Sequence, residues 1–528
     1  MLSKQKLPVR LMWPFMAVVA LASCAATDRP VAPGPVGPPR TETGARILDI
    51  DGATRFQVMD NFAASDCWSM QKVGLWSEEN RNRVADLLFS MDKGIGLSAW
   101  RFNIGAGKCP DISPWRTAET FETAEGRYDW SRQAAERWFL AAAKARGVRQ
   151  FIAFVNSPPA RMTKNGKTYC TPEVGPTNLK DGHEGQYARY LADILRHFRE
   201  DPDPAQRIDF GWISPVNEPQ WDWNGPGQEG NRVPNDVLKS ILRALDAELK
   251  RQSVPAKILA PESGSLAIPG MTGPIEMYGA RYGAYVRDFC GDPEMADIMG
   301  RLVCSHSYRA DLLPNGLVNA RQKLRAQFDL YPGWKFWQSE YCVMQGPDGV
   351  GGGGRDMGID AALNIARVMH QDLVLLNASA WQWWTAVSKE HFQDGLLYTD
   401  YHKIGDPETI YTSKTLWAFG NYSRFVRPGA RRVALAGAED LSGLLGSAWD
   451  DRETGRLVVV LINMGAAPET VRLRERRLQD NAAVRSWTPW VTSDQPGDDL
   501  RRDTAVAGGT DYTVPARSVV TLVGNTGA

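Results

Sequence analysis

Ile213-Ser214-Pro215-Val216-Asn217-Glu218-Pro219 carries a short apolar run into an Asn-Glu-Pro triplet at which the chain has to turn. Pro219 removes a backbone donor and biases its neighbour away from helix, so a strand from Gly211 to Val216 ends here with Glu218 at its tip. That strand is the fourth of eight such runs. The others are Phe56 to Met59, Ser98 to Ile104, Gln150 to Val155, Lys257 to Ala260, Leu302 to Ser305, Lys335 to Gln338 and Ala378 to Gln382. Amphipathic helical stretches separate them, which is the order of a (β/α)8 barrel.

Three of the helices are clear from their periodicity. Asp129 or Ser131 is placed to cap one in which Ala134, Trp138, Ala141 and Ala145 share a face, and Gly147 stops it. A second puts Tyr187, Tyr190, Leu191, Ile194 and Phe198 on one side, and a third, from about Met357 to Leu376, turns Leu363, Ala366, Met369 and Leu373 inward. Beyond Pro428 the texture changes to β-branched runs such as Arg456 to Ile462, Thr470 to Leu473 and Ser518 to Val523. The expected fold is therefore α/β: a (β/α)8 TIM barrel over residues 44–427, then an antiparallel β-sandwich domain over 428–528, with the first strand available to either sheet.

The N-terminus predicts export. Basic Lys4, Lys6 and Arg10 precede an apolar run from Leu11 to Ala22, too short to span a membrane as a helix. Leu21-Ala22-Ser23-Cys24 resembles the lipobox of bacterial lipoproteins, which implies a signal peptide over 1–23 and a lipid on Cys24; ordinary cleavage and release is the alternative. Residues 24–43, rich in Pro and Gly, read as a tether. With Ala25 after the cysteine, the resemblance points to an outer-membrane lipoprotein facing the periplasm or the cell surface. Six cysteines remain in an oxidising compartment, so disulfides are expected in a pairing the sequence leaves open.

Lys+Arg and Asp+Glu both number 61, so no global field favours a nucleic acid. A neutral ligand fits better, and the 19 Trp offer platforms for sugar rings besides filling the core. The 6 His form no HExxH and no CxxC occurs, so neither a metal nor a cofactor is expected. Gly349, Gly351 and Gly354 satisfy GxGxxG, but no βαβ nucleotide unit surrounds them.

Phe336-Trp337-Gln338-Ser339-Glu340-Tyr341 places a second glutamate at the end of the seventh strand, on the rim that carries Glu218. A single strand-end glutamate is as readily a salt-bridge partner as a catalyst. Two on one rim are what glycosidic cleavage needs, one to protonate the departing oxygen and one to attack the anomeric carbon. Glu262, at the end of the fifth strand, is a third rim carboxylate, and a structural role is expected for it.

The chain resembles glycoside hydrolase family 30, and within it the bacterial endo-β-1,6-galactanase-like members. The likeness is carried by Ser98 to Gly105, Asn156-Ser157-Pro158-Pro159, Ser214 to Trp223, His306-Ser307-Tyr308, Trp337 to Tyr341 and Phe425-Val426-Arg427-Pro428-Gly429. It implies a retaining hydrolase of a β-linked polysaccharide, with Glu218 as acid/base, Glu340 as nucleophile, Asn217 on the sugar 2-hydroxyl and Arg101 supporting the nucleophile's ionised form. Asp66, Asn156, Trp221, Trp223, His306 and Tyr308 are the further substrate-site candidates, with Trp383 as the pocket floor. Many members have a Gly-rich segment after strand one, whereas this chain has Asp60 to Trp68, which leaves the first subsite and the sugar open. A β-1,6-glucanase, a xylanase, a β-glucosidase or glucosylceramidase, and a non-catalytic carbohydrate-binding surface protein are the rival readings.

Overall fold

The computed structural model describes residues 39–344, 349–451, 453–478 and 483–525. The export segment, Cys24 and most of the tether lie outside the described residues.

Eight parallel strands form the barrel: β1 (Asn61–Ser65), β2 (Ala99–Asn103), β3 (Gln150–Phe154), β4 (Trp212–Ser214), β5 (Lys257–Ile258 and Ala260–Ser263), β6 (Leu302–His306), β7 (Lys335–Glu340) and β8 (Ala380–Trp383). Each pairs with the next, and Ala380 to Trp383 opposite Asn61 to Ala64 brings the last strand back to the first. β5 is broken at Leu259, so its first part pairs with β4 and its second with β6. Inside the barrel, Ala63, Ala99 and Ala380 leave room for Trp337, against which Trp212 packs at a ring-centroid distance of 4.8 Å. Small and large residues thus alternate around one filled layer.

The first strand corrects the sequence reading. Phe56 to Val58 ends a long strand, Arg46–Val58, which runs antiparallel to Arg431–Ala436 and parallel to Glu469–Arg476. It is a strand of the β-domain, and the barrel begins only at Asn61. The reason is packing: Phe56 lies under the guanidinium of Arg432 at 3.7 Å, while Asn61-Phe62-Ala63-Ala64-Ser65, in which Asn and Ala are weak β-formers, is the segment fully buried in the barrel wall.

The β-domain is one ten-stranded, mostly antiparallel sheet. Trp487 and Val514, from strands towards opposite ends of it, meet in a single core with Leu48, Val459 and Leu522, so the sheet curls over itself as a sandwich. Arg456–Asn463 is buried on both faces. Leu457, Val459 and Leu461 point into that core, whereas Val458, Val460 and Ile462 join the barrel's, which is why this strand reads as an unbroken apolar run.

Two of the three predicted helices have their expected faces buried: Glu184–Arg199, with Tyr187, Tyr190, Leu191, Ile194 and Phe198, and Ile359–Leu375, with Leu363, Ala366, Met369 and Leu373. The third, Ala134–Ala145, buries Ala135, Phe139, Ala142 and Ala143 instead, and leaves Ala134 and Ala145 exposed. Trp138 lies on its flank beneath the guanidinium of Arg81, 4.6 Å from the ring centroid. Asp129 and Ser131 do not cap this helix; Asp129 accepts from the Ser131 amide in the turn before it. The six described cysteines are all buried and unpaired, against the expectation of disulfides.

Candidate active site

The C-terminal ends of the strands open into a cleft of about 1190 Å3, at the upper edge of or beyond the roughly 300–1,000 Å3 of ordinary small-molecule sites. Glu218 and Glu340 both line it, together with Asn217, Trp221, Trp223 and Tyr308.

Glu218 follows β4 with φ at +45°, and Glu262 at the end of β5 has φ at +54°. Left-handed backbone costs a side-chain-bearing residue about 1–3 kcal/mol and persists only where neighbours hold it. Here the Glu218 amide donates to the Glu262 carbonyl at 2.8 Å, tying the two turns together. Gly264 is required next to them: a Cβ there would stand 2.7 Å from Glu218 Oε1 and 2.2 Å from Trp221 Nε1.

The polar network around the two glutamates is buried. Glu340 Oε2 accepts from Arg101 Nη1 at 2.5 Å, and its Oε1 from the Tyr308 hydroxyl at 2.8 Å. His306 Nδ1 lies 2.9 Å from Glu218 Oε1 and 3.5 Å from Glu340 Oε1, while Nε2 lies 3.2 Å from Glu262 Oε2. Both ring nitrogens therefore face carboxylates, and the arrangement is satisfied when both donate, as in an imidazolium. Burial opposes that charge, yet Glu340, Glu218 and Glu262 together raise the His306 pKa to about 10. Glu262, fully buried, also accepts from the hydroxyls of Ser214 and Ser339. Burial would raise its pKa, but Arg101 above all, with His306 and Ser214, brings it down to about 2. The Glu218 carboxyl is raised above its ordinary value by burial first and by Glu340, with His306 and Arg101 pulling the other way.

Charge counting explains the balance. Arg101 and His306 carry two positive charges, and Glu262 and Glu340 two negative ones. The buried group is neutral when Glu218 holds a proton. Glu218, His306 and Glu340 also have donor atoms within 4.8 Å of one another, the composition of a cation site. With both nitrogens of His306 given to carboxylates, no imidazole lone pair is free to bind a metal.

The remaining sequence candidates divide. Asn217 lines the cleft, with its buried Oδ1 lacking a partner among the described residues. Trp221 and Trp223 line it too, and Trp223 Nε1 donates to the Glu218 carbonyl at 2.9 Å. Arg101 is fully buried behind Glu340, its guanidinium 3.7 Å from the Phe154 ring centroid. His306 also lies behind the two glutamates, with no exposed surface.

Three more candidates do not reach the cleft. Asp66 Oδ1 accepts from the Asn103 amide at 2.8 Å, and Asn156 Nδ2 donates to the Cys67 thiol at 3.8 Å; both side chains are buried and neither lines the cleft. Trp383 is fully buried and donates to the Asp394 carbonyl at 2.7 Å. The period of two along β8 sends Ala380 into the barrel and Trp381 and Trp383 outward against the helices. It is Trp384, just past the strand, that turns into the cleft, edge-on to Trp68 at 5.2 Å. Trp68, Trp115, Arg116, Lys389 and Asp394 line the cleft as well and were not among the candidates; they sit in loops with no motif around them.

Two glutamates converging from β4 and β7 on one barrel mouth, beside a buried imidazolium, are the arrangement that cleavage of a glycosidic bond by paired carboxylates requires. The family model for O-glycosyl hydrolase family 30 matches residues 45–398, and the chain belongs to that family. Its activity is thus O-glycosyl hydrolysis. An endo-β-1,6-galactanase of Hypocrea rufa is 22% identical over 490 residues, 86% of this chain and 88% of that protein. A conserved exported protein from Bacteroides fragilis superposes with a TM-score of 0.80 at 29% identity, covering 90% of this chain and all of that one. The catalytic domain of a family 30 xylanase from Talaromyces cellulolyticus shares the fold at a TM-score of 0.66 and 19% identity, over 91% of this chain and 100% of its own.

Proposed function

We propose that the chain is a retaining endo-β-1,6-galactanase in which Glu340 is the nucleophile and Glu218 the acid/base. The observation that carries the mechanism is separation: a carboxylate oxygen of Glu218 and one of Glu340 lie within 4.8 Å of each other. Retaining enzymes hold their carboxyl groups about 5–5.5 Å apart, whereas inverting ones need about 6.5–9.5 Å to admit a water. Glu340 attacks the anomeric carbon while Glu218 gives its proton to the departing oxygen, leaving a glycosyl ester on Glu340. Water then enters, Glu218 takes its proton, and the new bond forms as the ester breaks, with the anomeric configuration restored. Asn217 presents its side chain to the same space, where a bond to the 2-hydroxyl would strengthen as positive charge develops on the ring.

Galactan is supported by the fungal relative, and endo action by a cleft large enough for several rings, with Trp68, Trp115, Trp221, Trp223 and Trp384 along it. The test is hydrolysis of β-1,6-galactan, β-1,6-glucan, glucuronoxylan and aryl β-glycosides, with product lengths and anomeric configuration followed by NMR. Oligogalactosides released first as β-anomers are expected, and Glu340→Gln is expected to abolish turnover without changing the fold. Release of α-anomers, or full activity in that variant, would overturn the mechanism; a preference for glucan or xylan would overturn only the substrate. We further infer export and lipid attachment at Cys24 from the basic, apolar, cysteine order of the leader. Labelled fatty acid should enter the full chain and not Cys24→Ser.

A further inference from the structure

Asp394 borders the cleft but takes no part in the network around Glu218 and Glu340. Its backbone is fixed on two sides: its carbonyl holds Trp383 Nε1 at 2.7 Å, and the next residue, Gly395, has no room for a Cβ, which would stand 2.6 Å from the Leu397 carbonyl. The residue is 9% exposed, and its Oδ1, though buried, has no hydrogen-bond partner among the described residues. An unsatisfied buried carboxylate oxygen is costly, so one beside a ligand cleft calls for a ligand donor. Burial raises the Asp394 pKa to about 6, with Ser388 and, more weakly, Arg116 pulling it down.

Arg116 borders the same cleft, half-buried, and its guanidinium makes no ion pair or hydrogen bond among the described residues. Lys389 on the same rim is different: Glu390 neutralises it at 2.8 Å. A carboxylate with one oxygen left unbonded and a guanidinium without a partner, facing one cavity and not bridged to each other, suit a group that donates to one and accepts from the other. In a sugar that group is a hydroxyl. The position also selects the ring. Asp394 follows β8 and its charge acts on Cys342, two residues past Glu340, which puts it on the nucleophile's side of the cleft.

We propose that Asp394 and Arg116 clasp one hydroxyl of the ring that becomes attached to Glu340, and so select among β-hexosides. This rests on the glycosidase reading of the cleft and adds its specificity. The test uses the aryl β-hexoside that the wild-type enzyme cleaves fastest, together with its monodeoxy analogues at each ring hydroxyl, against wild type, Asp394→Ala, Asp394→Asn and Arg116→Ala. One deoxy position should lower wild-type kcat/KM by about 10- to 100-fold, and Asp394→Ala should lose a similar factor on the parent sugar. In Asp394→Ala the penalty at that one position should vanish while those at the other positions persist, and Arg116→Ala should relax the same position. Asp394→Asn, which keeps shape and an acceptor, should fall between. An active wild type whose deoxy penalties are unchanged in Asp394→Ala overturns the clasp and leaves the catalytic assignment standing. A wild type inactive on every aryl hexoside and on every polysaccharide overturns both.

Discussion

His306→Gln should move the alkaline limb of the kcat/KM profile to higher pH. The native network is neutral with Glu218 protonated, and the substitution removes one of its two cations. His306 Nδ1 lies 2.9 Å from Glu218 Oε1. Unit charges at that distance interact by about 6 kcal/mol at an effective dielectric of about 20, or roughly four pK units. That is a ceiling, since glutamine can still donate one hydrogen bond and water can fill the space left by the ring, so about one to two units is the expected shift. The sign follows from the causes. Burial and Glu340 raise the Glu218 pKa, and the imidazolium is the strongest group pulling it down. Without that cation Glu218 keeps its proton to higher pH, and as a weaker acid it donates less readily. kcat should therefore fall more for a poor leaving group than for a dinitrophenolate. Initial rates on two aryl glycosides across about pH 4 to 10 measure both effects. A limb that stays in place, or shifts to lower pH, in a variant folded by circular dichroism would refute the charge argument.

Other consequences follow from the same geometry. His306 has a pKa raised from 6.5 to about 10 in the folded state, so its contribution to stability is complete below pH 6.5 and lost as pH rises through 10. Scanning calorimetry should show wild-type Tm declining over that window and a flatter profile for His306→Gln; identical slopes would count against the imidazolium. Arg101→Met leaves Glu262 and Glu340 buried without their shared cation, and should cost roughly 3–5 kcal/mol in denaturant unfolding, with a loss below about 1 kcal/mol speaking against it. Trp384→Ala removes a cleft-lining ring, and should raise KM on oligosaccharides about five- to tenfold while kcat stays within about twofold; an unchanged KM would remove Trp384 from substrate contact.

Strands two to eight were legible as short apolar runs between amphipathic helices, and some end against a turn signal, as Pro219 ends β4. The first strand was not, because a barrel interior selects by volume rather than by β-propensity. Ala63, Ala99 and Ala380 are small so that Trp337 fits, and Asn61-Phe62-Ala63-Ala64-Ser65 therefore carries no strand signature. The stronger pattern nearby, Phe56 to Val58, belongs to the other sheet. Similarly, Trp138 drew the inward face of its helix towards itself, although it lies on the flank under Arg81. Trp383 and Trp384 show the limit at one-residue scale: which of two adjacent rings meets the cleft depends on where β8 stops, a boundary set by pairing with β1 and β7.

At the site, the motifs identify two glutamates, but their division of labour is not written in either motif. In the proposed mechanism, chemically identical side chains become an acid and a nucleophile only through what other strands bring to them. β2 supplies Arg101, and the turn after β6 supplies Tyr308, both as donors to Glu340. β5 supplies Glu262, whose charge helps keep His306 an imidazolium, and β6 sets that imidazolium against Glu218. Glu262, which the sequence marks only as a third rim carboxylate, is therefore what balances the second cation. Were it neutral, the network with Glu218 protonated would carry a net positive charge in a buried space, and a proton would leave either His306 or Glu218 to relieve it. On the proposed mechanism, a buried residue that never meets the sugar thus governs whether Glu218 arrives at the leaving group with its proton.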